Sequence, residues 1–193
     1  MHRDSRSVRV KVGADFSFFA VLGFLICTDK DGVSVMCLCA CMLHELGHLV
    51  VMYSEHRPPE SITFRGGGIH ISGGSTSFLC TGAGVAVNIA LFLLCGAIPW
   101  EVREVRLFGV VNLLIAAFNL LPVGTLDGKL MLDKAITAAV EPERAVHISS
   151  LAEKATLAFV LPAVVMLVFS GALNFSAVIF LIYVLSVEIL EKI

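Results

Sequence analysis

The feature that most constrains this chain is the motif H-E-L-G-H at residues 44–48, inside an apolar run over residues 33–53. The run predicts a membrane-crossing helix, because roughly 20 apolar residues are needed to span a bilayer. On a helix, His44 and His48 share one face, so both imidazoles can reach one metal ion. Glu45 follows the first histidine and is placed to act on a water at that metal.

The pattern H-E-x-x-H is typical of a zinc hydrolase, which needs two histidine ligands, a carboxylate base and a third ligand. The alternative is a chance match on a buried helix, since short motifs carry a false-positive risk. The setting argues against chance. Ionisable residues are costly inside a bilayer, and those that occur there are usually functional.

Composition places the chain in a membrane. It is 57% hydrophobic and 16% charged, with a mean hydropathy of +0.89, against about 45–50% and about 25% in soluble domains. The net charge of −2 says nothing about nucleic acid. No run of like charges suggests a binding tail, and we predict no nucleic-acid partner. The cysteines lie in or beside apolar runs without C-x-x-C pairs, so we interpret them as apolar lining and not as ligands.

Apolar runs predict an all-α polytopic membrane protein with about six transmembrane helices. The runs cover residues 16–27, 33–53, 80–99, 107–121, 155–170 and 175–190. The first is short for a span, so we expect either that residues 8–14 lengthen it or that the helix is thin or distorted. Residues 101–106 are predicted to form a short outer loop. We predict one domain over residues 1–193, in a multi-pass cell-membrane protein.

Basic residues set the predicted orientation. Arg3, Arg6, Arg9 and Lys11 precede the first apolar run, and excess positive charge favours the cytoplasmic side. The amino terminus is therefore expected in the cytoplasm. The second span then brings the H-E-L-G-H motif to the cytoplasmic half of the bilayer.

A β-hairpin is predicted between the second and third spans. Residues 61–65 and 69–72 alternate apolar and polar side chains around the glycines at 66–68. An open strand edge there has a use, because an extended peptide can bind by adding to it as a strand.

The second motif, N-L-L-P-V-G-T-L-D-G, occupies residues 119–128. Pro122 ends a regular helix, and Gly124 and Gly128 permit turns. The backbone should unwind near the depth of His44, with the Asp127 carboxylate directed toward the histidine helix. Residues 128–150 then predict an interfacial amphipathic helix followed by a link at 141–144.

Together the two motifs resemble the site-2 protease family of intramembrane zinc metalloproteases, most closely the branch containing stage IV sporulation protein FB. The resemblance covers about residues 8–132, whereas 150–193, predicted to add two transmembrane helices, match only in layout. Within it, Val85 stands where the family commonly has proline. The resemblance implies Zn²⁺ bound by His44, His48 and Asp127, with Glu45 as general base. It also implies that Asn119 and Asn88 hold the substrate backbone or the oxyanion.

The function implied is hydrolysis of a peptide bond in or near a transmembrane segment of a membrane-tethered regulatory protein. At the family level the substrate is a pro-sigma factor or transcription factor, as in sporulation, and a regulatory membrane partner is compatible with it. A membrane metal transporter and a non-catalytic scaffold are the alternatives. A metzincin-type soluble protease is disfavoured, because Val51 and Ser54 stand where it needs glycine and histidine.

Overall fold

The structure is a computed structural model of the chain. It describes residues 10–29, 32–66, 68–75, 77–98 and 102–170. These ranges form a mostly helical fold with a small sheet, as the sequence predicts. The elements in order are β1 (Lys11–Ala14), α1 (Phe16–Thr28), α2 (Val33–Ser54), β2 (Ser61–Arg65), β3 (Gly68–Ser72), α3 (Phe78–Gly96), α4 (Arg103–Asn119), α5 (Asp127–Ala139) and α6 (Pro142–Phe169).

Three helices of the described ranges are long and apolar enough to cross a membrane: Val33–Ser54, Phe78–Gly96 and Pro142–Met166. Helix α1, with 13 residues, reaches only about 20 Å at 1.5 Å per residue, short of the roughly 30 Å hydrocarbon core. The six-span count is therefore not confirmed. The predicted sixth span at 175–190 and the arginines of the amino-terminal tail lie outside the described residues.

The predicted hairpin is confirmed. Strands β2 and β3 pair antiparallel, with Ile62 opposite Ile71. The prediction that residues 8–14 lengthen the first span is wrong for Lys11–Ala14, which form β1 and pair parallel to β2. Asp15 separates the strand from the helix, because its carboxylate caps α1 by accepting the Ser17 N–H at 3.4 Å.

Two predicted loops belong to helices instead. Helix α4 begins at Arg103, inside the expected outer loop, with Glu104 in its first turn, where an acidic side chain suits the helix dipole. Helix α6 begins at Pro142, inside the expected link at 141–144. Proline is favoured at the first helical position, because its missing N–H has no partner there in any case.

The chain divides into two compact units, Met1–Val87 and Asn88–Ile193, with the boundary inside α3. The first unit contains the sheet, α1, α2 and the start of α3. In the second unit, α5 and α6 are joined through Lys129, whose ammonium donates to Asp133 at 2.6 Å and to the Ser149 hydroxyl.

Helix α2 has the two faces expected of a membrane helix in a bundle. Met42, Leu46 and Val50 are exposed along one stripe, while His44 and His48 are buried on another. A soluble protein places apolar and ionisable side chains the other way round. The exposed stripe therefore suits lipid, and the buried one suits a site inside the protein.

Candidate metal centre

The first unit brings His44 and His48 together. Their side chains are 4% and 8% exposed, and their Nε2 atoms lie 3.2 Å apart. The four-residue spacing places both rings on one side of α2, as the motif predicts. The rings meet edge to face, with 75° between their planes, so the two Nε2 atoms converge on one small region.

The backbone of α3 sets the protonation of His48. Its Nδ1 lies 2.7 Å from the carbonyl oxygen of Cys80. A carbonyl can only accept, so Nδ1 carries the proton, and in the neutral ring Nε2 presents a lone pair. A second hydrogen bond that fixes the tautomer in this way is typical of metal-binding histidines.

Helices α2 and α3 approach closely through glycines. A Cβ on Gly84 would lie 2.5 Å from Nε2 of both His44 and His48. On α2, a Cβ on Gly47 would lie 2.9 Å from the Ala83 carbonyl oxygen. Small residues allow such close packing between membrane helices. Because Gly84 has no side chain, space remains beside the two Nε2 atoms. Any side chain at this position would fill that space.

The histidine pair fits zinc. Ligand nitrogens at about 2.0–2.1 Å in tetrahedral geometry lie about 3.3–3.4 Å from each other, close to the 3.2 Å between the two Nε2 atoms. Imidazole is an ordinary zinc ligand, and both rings are buried. The two histidines therefore fit two of the ligand positions of a zinc site.

The second unit places Asp127 at the first position of α5, where it is partly buried. Gly124 has a φ of +60°, so the chain turns there. This turn lies at the end of the helix break predicted at Pro122. Gly128 differs from the prediction, since it lies within α5 and packs closely instead of turning. A Cβ there would collide with the Leu120 carbonyl oxygen. Only glycine lets α5 begin directly against the end of α4.

The remaining predicted site residues are placed as follows. Glu45 lies on α2 beside His44 and is partly buried. Asn119 is the last residue of α4, and its amide donates to the Ile115 carbonyl at 3.0 Å. Asn88 is fully buried on α3, and its amide donates to Asn112 Oδ1 at 2.8 Å. The substrate-binding roles of both asparagines stay predictions.

Sequence reasoning assigned no role to Asn112. The residue is 0% exposed, and its own amide donates to the Phe108 carbonyl at 2.8 Å. Two asparagines in neighbouring apolar runs are the only signal for this pair, because the pairing depends on how α3 and α4 pack. In the described ranges, no cysteine belongs to a candidate metal-binding cluster, and their role as apolar lining stays a prediction.

Comparison with known proteins finds similarity to proteins that are named as proteases. No protein-family profile matches the chain. Rip3 of Mycobacterium tuberculosis, named as a zinc metalloprotease in strains Erdman and H37Rv, is 34% identical over 113 residues, covering 50% of this chain and 29% of the relative. The match thus spans less than a third of the length of these curated relatives.

The site-2 protease from Methanocaldococcus jannaschii has a similar structure. The TM-score is 0.58 at 18% identity, covering 89% of this chain and 86% of that one. The fold is therefore of the site-2 protease type. With the Rip3 similarity, it supports the site-2 protease family as the source of the resemblance, although the stage IV sporulation protein FB branch is not confirmed.

Proposed function

We propose that this protein is an intramembrane zinc metalloendopeptidase of the site-2 protease type. The observation that carries the proposal is the buried histidine pair on α2, with Nε2 atoms 3.2 Å apart and one tautomer fixed by Cys80. A histidine pair of this kind on an apolar helix is costly without a function. The relatives named as zinc metalloproteases, and the site-2 protease fold, support the same activity.

The proposed ligands are His44 and His48 on α2 and Asp127 at the start of α5. Two imidazoles and one carboxylate leave a fourth position, as catalytic zinc sites require. Bound there, zinc supplies Lewis acidity to the scissile carbonyl and lowers the pKa of water to about 7.

Glu45 is the proposed general base. Its carboxylate takes a proton from the attacking water and returns it to the leaving amine, so that one residue serves both steps. Asn119 is proposed to donate its amide to the substrate carbonyl as negative charge develops, and Asn88 to support the substrate backbone. The Asn119 amide has two N–H groups, so one can donate to the substrate while the other keeps its contact with the Ile115 carbonyl.

The proposed substrate is a transmembrane segment of a membrane-tethered regulatory protein, such as a pro-sigma factor or a transcription factor. A helical segment must unwind before cleavage, since its carbonyls are hydrogen-bonded. In the sheet order β1-β2-β3, strand β3 lies at an edge. An extended substrate adding to that edge would gain main-chain hydrogen bonds.

The wider setting follows from the resemblance. We propose one multi-pass domain with its amino terminus and active site toward the cytoplasm, and membership of the stage IV sporulation protein FB branch. Regulated proteolysis, with a regulatory partner in the membrane, fits that branch. A fusion reporter placed before β1 tests the orientation, since a signal confined to the outer side would reverse it.

The decisive experiment compares wild type with Glu45→Gln and Asp127→Asn. Each purified protein is assayed for zinc content and for cleavage of a single-span reporter in proteoliposomes. Glu45→Gln should retain zinc and lose activity by about 10²–10⁴-fold, because an amide cannot accept the proton. Asp127→Asn should lose zinc as well, because a neutral amide oxygen is a weaker ligand than a carboxylate.

The matched control is Glu143→Gln, which makes the same chemical change at an exposed position in the first turn of α6. It should cleave as wild type does. Near-normal cleavage by Glu45→Gln would place the base elsewhere, and wild-type protein without zinc would overturn the proposal itself.

A further inference from the structure

A cluster of polar side chains lies where α2 ends. Glu55 is the residue after α2, and its carboxylate accepts hydrogen bonds from the Ser77 hydroxyl at 2.6 Å and from the Ser75 hydroxyl. Ser75 is only 3% exposed. These two hydrogen bonds lower the pKa of the Glu55 carboxyl from its ordinary value, so the side chain is charged at neutral pH and the bonds are charge-assisted.

Ser77 connects this cluster to α3. It precedes the first residue of that helix, and its hydroxyl oxygen accepts the N–H of Cys80 at 3.0 Å. This is the N-cap geometry, in which a side-chain oxygen satisfies an N–H of the first helical turn. One hydroxyl therefore donates to Glu55 and accepts from Cys80.

The same residue, Cys80, orients His48 through its carbonyl oxygen. His48 and Glu55 are seven residues apart on or beside α2, two helical turns, so they lie on nearly the same face. Hydrogen bonds connect Glu55 to Ser77, Ser77 to Cys80, and Cys80 to His48. Because α2 connects His48 back to Glu55, these contacts form a closed circuit. All four residues belong to the first unit.

The loop before α3 is built to close this circuit. Gly73 and Gly74 have φ values of +74° and +84°, which side chains rarely allow. A Cβ on Gly74 would also lie 3.0 Å from Met52 Sδ and 3.1 Å from the Arg57 carbonyl oxygen. The loop therefore lies tightly against the end of α2 and brings Ser75 beneath Glu55.

We infer that Glu55 is a positioning residue for the metal centre, acting through Ser77 and the Cys80 carbonyl to hold His48 Nε2 in place. Glu55 touches no reacting atom in this role. The inference rests on the proposed function only in taking His48 as a zinc ligand. Residues that orient a ligand from outside the metal's own shell commonly change metal affinity by about 10–100-fold when removed.

The test measures metal affinity on the purified full chain. Zinc dissociation constants are obtained by chelator competition for wild type, Glu55→Ala and Ser77→Ala, and Co²⁺ absorption spectra report ligand geometry. Both variants should bind zinc about 10-fold more weakly, with altered Co²⁺ bands and helical circular dichroism retained. The double variant should lose little more than either single one, because both changes break one circuit.

Glu143→Ala is the control, since it removes an exposed carboxylate elsewhere in the chain and should match wild type. Unchanged affinity and Co²⁺ spectra in Ser77→Ala would overturn the inference, even where Glu55→Ala fails to fold. Weakened affinity that Glu55→Asp restores in part supports positioning. Wild type that binds no metal is a different result, because it rejects the proposed function and not this circuit alone.

Discussion

The Nδ1 atom of His48 on α2 lies 2.7 Å from the carbonyl oxygen of Cys80 on α3. This contact joins the candidate metal ligand to the helix beside it through a backbone atom. Because the acceptor is a carbonyl, the exposed lone pair of the ring is on Nε2, which faces Nε2 of His44. The neighbouring helix thus decides which nitrogen can bind a metal.

The first prediction separates the histidines from the cysteines of the same helix. His48→Ala should lose bound zinc, because one of two converging imidazoles is gone. Cys41→Ser should retain zinc, because Cys41 lies seven residues from His48 and belongs to no described metal-binding cluster. Metal analysis of the purified variants by mass spectrometry checks both, and zinc loss in Cys41→Ser would make the cysteine a ligand.

The second prediction concerns the space beside the histidines. Gly84→Ala places a methyl group 2.5 Å from both Nε2 atoms, so helix and rings must separate. Zinc content should fall severely, and overpacking should lower stability by about 1–3 kcal/mol. Gly96→Ala is the control on the same helix, because nothing lies within 4 Å of its added Cβ. Equal zinc in the two variants would contradict the close approach at Gly84.

The parts of this site that sequence could predict are those set by local chemistry. The spacing of His44 and His48 fixes a shared helical face, and Pro122 fixes the end of α4 near Asn119. Alternation around glycines predicted β2 and β3. Each signal lies within about ten neighbouring residues, where turn preferences and helical periodicity decide the outcome.

The parts that sequence missed depend on distant partners or on backbone atoms. Strand β1 exists because Lys11–Ala14 find partners at Ser61–Phe64, although Asp15 before an apolar run was an available helix-start signal. The contact of His48 uses a carbonyl, which every residue has, so no side-chain type could mark Cys80. A sequence motif therefore cannot predict that a backbone carbonyl orients a histidine ligand.

The third prediction concerns the buried pair Asn88 and Asn112. Asn112→Ala removes the oxygen that accepts the Asn88 amide at 2.8 Å. Side-chain hydrogen bonds between membrane helices average about 0.6 kcal/mol and reach about 1.7, and full burial favours the upper part of that range. We expect a loss near 1 kcal/mol in mixed-micelle unfolding titrations.

A double-mutant cycle isolates this contact. Asn88→Ala and Asn112→Ala should couple, so that the double variant loses less than the sum of the single losses. Leu114→Ala is the comparison on α4, because that side chain is 63% exposed and lies outside the pair. Strict additivity of the two asparagine changes would show that the contact contributes nothing to stability.

The last prediction is the pH dependence that Glu55 gives to folding. Hydrogen bonds from Ser75 and Ser77, together with the positive charge of Arg57, lower the pKa of Glu55 below its ordinary value of 4.5. A carboxyl whose pKa is lower in the folded state stabilises the protein above the unfolded pKa, and that contribution is lost as pH falls through the folded pKa. Glu55→Gln, which cannot ionise, should lack it.

The stability of wild type and Glu55→Gln is therefore compared by thermal unfolding from about pH 7 down to about pH 3.5. Wild type should be the more stable near neutral pH, with a constant difference down to about pH 5 that narrows below about pH 4.5. Glu143→Gln corrects for the loss of an exposed carboxylate on α6. A difference that stays constant across the acidic range, or widens there, would mean that Glu55 is not held in its charged form by the two serines.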